Sequence, residues 1–190
     1  MSSSDTFRPA SRPLVRVAVA MLAVALLGGC FRPLYGVSAN GPSVQEQLAA
    51  IELATVDPGN RDHNRLAYYL QSELGYRLTG GSPDAATKRF RLEAKVSESV
   101  SSTIVNTSTG NAEAALLTGT AEFKLLPAGG GDPVMSATAV ASSAYDRTPQ
   151  RFASLRAARD AQIRVAKALA DQIHTRLAAK FASGAIPAGR

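Results

Sequence analysis

The sequence predicts an α+β fold: a two-layer sandwich with two amphipathic helices packed on one face of a four-stranded mixed sheet, in the order β-α-β-β-β-α. Three observations carry this. Apolar residues recur at helical spacing in two places, as Leu66, Leu70, Leu74 and Leu78 and again as Ala166, Ala170, Ile173, Leu177 and Phe181. Between these segments the period falls to two, with Phe90, Leu92, Ala94 and Val96 alternating with charged neighbours. Glycine and proline clusters separate the runs, and amphipathic helices beside a one-sided sheet bury their stripes by stacking in two layers.

The first 29 residues stand apart from this pattern. Arg8, Arg12 and Arg16 face a single acid, Asp5, and lead into an apolar run from Val17 to Leu27. That run is shorter than the roughly 20 residues a membrane-spanning helix requires and has the charge-then-apolar layout of a secretory signal. It ends in Leu27-Gly28-Gly29-Cys30, which resembles the lipobox of bacterial lipoproteins and holds the chain's single cysteine. The resemblance implies that Cys30 is acylated and becomes the first mature residue. One cysteine forms no internal disulfide, and a free thiol is a liability in an oxidising envelope. Two or three acyl chains hold a protein firmly at a bilayer, whereas one binds only reversibly.

The expected organisation is therefore a cleaved signal over 1–29, a lipid anchor and linker over 30–47, a single α+β domain over 48–182 and a flexible tail over 183–190. Cleavage removes three of 21 basic and one of 15 acidic residues, so the mature chain has 18 against 14, a formal charge of +4. So mild an excess is much weaker than the clustered one expected of a nucleic-acid binder, and export argues against that partner, which leaves anionic lipid or lipopolysaccharide.

The domain reads as follows. Leu48–Val56 is apolar and stops at Asp57-Pro58-Gly59, which predicts the first strand. The leucine stripe and the Gly80-Gly81 stop predict the first helix. The second strand starts at Arg89 and fades through a Ser/Thr-rich reach to Gly110. Ala114–Leu126 alternates as the third strand, 127–133 is a forced loop, and Val134–Tyr145 is the fourth, rich in Ala and Ser. Thr148-Pro149 predicts the start of a long helix that ends near Ser183-Gly184, with Phe152, Leu155, Ile163, Ala166, Ala170, Ile173, Leu177 and Phe181 on its buried side.

Candidate functional residues fall in two groups. Lys88, Arg89, Arg91 and Lys95 form a basic strip on the predicted open sheet face, where arginine offers paired donors to phosphate. The same strip also reads as a solvated strand face, with Glu93 interleaved. Phe31, Arg32, Leu34 and Tyr35 lie directly after the anchor, where a plain tether needs only Gly, Ser and polar residues. They are candidates for docking on a membrane, a partner or the domain itself. No catalytic constellation, metal-ligand spacing, cofactor loop or nucleophile elbow involves His63, His174 or Ser101.

Cys30 followed by Phe31-Arg32-Pro33-Leu34-Tyr35-Gly36, together with the domain length and element order, resembles the lipopolysaccharide-assembly lipoprotein family LptE in its alphaproteobacterial-type form. Many members carry a glycine between the cysteine and the phenylalanine; here Gly28-Gly29 precede the cysteine instead. The resemblance implies no enzyme activity and no cofactor. It implies a lipid-anchored protein on the periplasmic side of the outer membrane that plugs and helps assemble the LptD-type β-barrel and binds lipopolysaccharide during its insertion. Two other readings compete: an accessory lipoprotein of an envelope lipid-transport ABC system and, less favoured, an envelope hydrolase.

Overall fold

A computed structural model describes residues 43–59, 64–80, 87–105 and 112–184, all within one compact unit spanning Val37–Arg190. Its elements run α1 (Val44–Ala49), β1 (Ile51–Leu53), α2 (Asn64–Thr79), β2 (Phe90–Val105), β3 (Ala112–Pro127), β4 (Met135–Asp146) and α3 (Arg151–Ala182). The sheet order is β1-β2-β3-β4, with β1 parallel to β2 and the remaining pairs antiparallel. The α+β sandwich with a mixed four-stranded sheet is thus the architecture found, with α1 added to its two main helices.

The chain enters the fold through a capping box. The Glu46 backbone N–H donates to Ser43 Oγ, and the Ser43 N–H donates to the Glu46 carboxylate. Val44 and Leu48, four residues apart, are both buried. This local chemistry makes Leu48 and Ala49 helical, so the strand expected over Leu48–Val56 contracts to Ile51–Leu53. Ala54–Asp57 still follows β2, because the Ala54 and Asp57 N–H groups donate to the Leu92 and Ala94 carbonyls. The Val56 N–H donates to Gln71 on α2, which ties this segment to the helix layer. It then turns away at Gly59, where φ is 57° and a Cβ would lie 2.8 Å from the Val96 carbonyl oxygen.

The helix layer covers one face of the sheet. Leu92, Ala94 and Val96 lie opposite Leu125, Phe123 and Ala121 in cross-strand register, and these six, with Phe90, Ala115 and Leu117, are buried beneath Leu66, Leu70, Leu74 and Leu78 of α2 and the stripe of α3. Burying each leucine stabilises by about 1.5–3 kcal/mol. Ala139 and Ala141 on β4 and Ala161, Ala166 and Ala170 on α3 are also buried, and their small side chains let helix and strand approach closely. At about 1.5 Å per helical and 3.3 Å per strand residue, α2 spans roughly half the length of β2, whereas α3 is about twice as long as α2.

Two expectations for α3 are corrected. Its first residue is Arg151 and its cap position is Gln150, without a side-chain cap. Thr148 and Ser154 instead clasp the entry: the Thr148 N–H donates to Ser154 Oγ, which donates to the Thr148 carbonyl. Phe152 and Leu155, expected to be buried, are 76% and 57% exposed. The buried line follows Ala161, Val165, Leu169, Ile173, Leu177 and Phe181, each step of four residues advancing about 40° around the helix. Extended backward it reaches Ala157 and misses both residues. Near Gly119, Leu66 of α2 converges with Val165 and Leu169, so α2 begins beside the middle of α3 and flanks only its later turns.

β4 is an edge strand whose outward carbonyls are occupied by α3. Arg164 donates to the Ala144 carbonyl and to Ser143 Oγ, Gln172 to the Val140 carbonyl and Arg176 to the Thr138 carbonyl. These contacts blunt an edge that would otherwise offer a template for strand pairing.

Candidate functional site

The face of the sheet opposite the helices forms a groove of about 670 Å³, walled by Ala54–Asp57 on one side and β4 on the other. Strand alternation puts Arg91, Glu93 and Lys95 of β2 into it, with Glu122 and Lys124 of β3 and Thr138 of β4. Register sets the electrostatics. Lys95 lies opposite Glu122, and Glu93 lies opposite Lys124. The Arg91 guanidinium stands 3.8 Å from the Glu93 carboxylate, and both side chains are about half exposed. The groove therefore presents a checkerboard of charge instead of an unbroken cationic strip. Pairs this exposed contribute about 0–1 kcal/mol, so their cations remain available to a competing anion.

The four expected cations separate. Arg91 and Lys95 enter the groove. Arg89 shares their parity but is half-buried at the start of the strand, where its N–H donates to the Ala50 carbonyl and its carbonyl accepts from Ala128. Lys88 turns toward α1 and β1, where its ammonium donates to the Ala49 and Ile51 carbonyls at 2.9 and 3.3 Å. Lys124, which sequence reasoning missed, joins the site because β3 runs in register beside β2. Its alternation in Ala114–Leu126 was a signal, but the register that brings it to Glu93 is not written in either strand alone.

Cys30, Phe31, Arg32, Leu34, Tyr35 and His63 lie outside the described residues. His174 is half-buried on α3; burial and the Arg77 guanidinium hold its pKa below 6.5, and the Asp171 carboxylate partly opposes them. Arg77 itself pairs with Asp171 at 2.9 Å, joining α2 to α3. Among the described residues no cluster of His, Cys, Asp or Glu is arranged to hold a metal ion, and no helix is long and apolar enough to cross a membrane.

Comparison with known proteins gives the fold its family. Residues 48–177 match the family model described as "LptE: Lipopolysaccharide-assembly". Among solved structures, the chain is similar to a lipoprotein of Caulobacter crescentus, with 26% identity, a TM-score of 0.55, and coverage of 74% of this chain and 96% of that one. A minor lipoprotein of Acinetobacter baumannii aligns at 18% identity and a TM-score of 0.46 over 69% of this chain and 90% of its own. Rare lipoprotein B of Shewanella oneidensis aligns at 20% identity and a TM-score of 0.41 over 70% and 93% respectively. No curated protein sequence matches the chain. The family match covers well over half of the chain and coincides with the sandwich from Leu48 into the last turns of α3, so this chain belongs to the LptE lipopolysaccharide-assembly family of non-enzymatic lipoproteins.

Proposed function

We propose that the chain is anchored through acylated Cys30 to the periplasmic side of the outer membrane. There it seats in an LptD-type β-barrel, helps that barrel assemble, and binds lipopolysaccharide during insertion into the outer leaflet. The observation that carries this reading is the family match over residues 48–177. The lipobox-like Leu27-Gly28-Gly29-Cys30 supports the anchor, and Phe31 after the cysteine supports outer-membrane sorting. Phe31, Arg32, Leu34 and Tyr35 then form a short docking segment between bilayer and domain.

The groove supports the ligand part of the proposal. Arg91, Lys95 and Lys124 converge there on one face, and a phosphorylated glycolipid competes for them with Glu93 and Glu122. A polar, hydrogen-bonding exterior also suits residence in a barrel lumen.

The test is affinity capture of the tagged mature lipoprotein from envelopes in mild detergent. A large outer-membrane β-barrel as the main co-purifying chain is the expected result. Recovery of an inner-membrane ABC transporter instead would replace this reading with that of a lipid-transport accessory protein.

A further inference from the structure

The side of α3 formed by its first three turns carries side chains that the fold does not use. On a wheel of 3.6 residues per turn, Arg151, Phe152, Leu155, Arg156 and Arg159 fall within an arc of about 140°, and buried Ala161 lies roughly opposite Phe152. All five are exposed, and Phe152 and Leu155 are among the most exposed large apolar side chains of the described residues. The acid nearest in sequence, Asp160, is paired with Arg164. Among the described residues, no ion pair or hydrogen bond engages the side chains of Arg151, Arg156 or Arg159. Three arginines early in a helix do nothing for its stability, because the dipole there favours acids, and the first turn contains none.

The geometry points to this face, Arg151 to Arg159 of α3, as a contact for an anionic phospholipid bilayer. Phe152 and Leu155 enter the headgroup boundary while the arginine stems lie along it and their guanidinium groups meet lipid phosphates. The occupant follows from charge and shape. Two isolated apolar side chains within a cationic arc provide too little continuous apolar surface for a tight protein seat, whereas attraction to a charged surface needs no shaped partner. The contact adds a second membrane attachment at a site far in sequence from the anchor. It rests on the proposed anchoring, which puts a bilayer at hand, and requires the first turns of α3 to stand outside the barrel lumen.

The chain contains no tryptophan, so Phe152→Trp installs a single indole, which red-edge excitation reads apart from the tyrosines in the full lipidated protein. In vesicles rich in phosphatidylglycerol the emission should move to shorter wavelength, and the shift should be lost in high salt and in purely phosphatidylcholine vesicles. Tyr68→Trp, on the exposed side of α2, should show no lipid-dependent shift. Reversing Arg151, Arg156 and Arg159 to Glu should weaken the lipid contact by about fivefold per arginine neutralised, on the order of a hundredfold or more in all. Mass spectrometry of the same preparation reads Cys30 acylation separately, so failure of the anchor is distinguishable from failure of the helix contact. An unshifted spectrum at position 152, equal shifts at 152 and 68, or a shift produced only by a barrel partner in neutral detergent would overturn the inference.

Discussion

Gly119 is the point at which both layers meet, and Gly119→Ala tests the packing directly. The residue lies in β3, opposite Glu98 on one side and Ala141 on the other. A Cβ there would stand 2.6 Å from Val165 Cγ1 and 3.2 Å from methyls of Leu66 and Leu169. Val165 is buried and β-branched, and a helix allows it essentially one χ1 rotamer, so it cannot swing aside. Overpacking of this kind costs about 1–3 kcal/mol, and reduced unfolded-state entropy returns about 0.4–1 kcal/mol. The net loss is about 1–2 kcal/mol, or roughly 2–8 °C in Tm for a chain of this size. Val165→Ala alone costs about 1.5 kcal/mol, at about 0.8 kcal/mol for each carbon removed. In the double variant the new methyl occupies the vacated space, so the losses should fall short of additive by about 1 kcal/mol or more. Urea titration of the four proteins reads the cycle. A Gly119→Ala variant as stable as the parent, or a cycle without coupling, would refute the close approach of α2, α3 and β3.

Other outcomes follow from the same geometry. Because the folded-state pKa of His174 is lowered, the unfolded chain takes up a proton that the folded chain refuses; stability is full above about pH 6.5, falls between there and the lower folded value, and is flat below it. His174→Gln should flatten that slope in pH-dependent urea melts. Lys88→Met should cost about 1–3 kcal/mol by leaving the Ala49 and Ile51 carbonyls underpaired while lipopolysaccharide binding persists; Arg91→Glu with Lys95→Glu should do the reverse, weakening binding at low salt with little loss of stability. Arg164→Ala with Arg176→Ala should open the β4 edge at Ala144 and Thr138 and produce concentration-dependent self-association in light scattering.

The parts of this fold legible in the sequence are those set by local periodicity. The leucine stripe of α2 and the alternation of β2 and β3 are each specified within a few residues, and the burial of Leu66 to Leu78 and of Phe90 to Val96 follows from them. The features missed depend on competing local chemistry or on partners distant in sequence. Ser43-x-x-Glu46 is a capping box visible in the letters, yet the apolar run after it favoured a strand. Phe152 and Leu155 match helical spacing, but the stripe that is buried drifts around α3, and no residue of the helix reveals where α2 begins beside it. The groove was half legible: parity placed Arg91 and Lys95 together, whereas the pairing of Lys95 with Glu122 and of Glu93 with Lys124 is a property of register. Lys88 departs from the strip because it precedes the strand and finds the carbonyls at the α1–β1 corner.

Depletion of the protein in its native cell, followed by quantification of lipopolysaccharide exposed at the surface, addresses its role in assembly most directly. Surface lipopolysaccharide should fall as the protein is lost and return with the wild-type chain, while Cys30→Ala restores it poorly. Undiminished delivery in depleted cells would contradict the account, whatever else the domain binds.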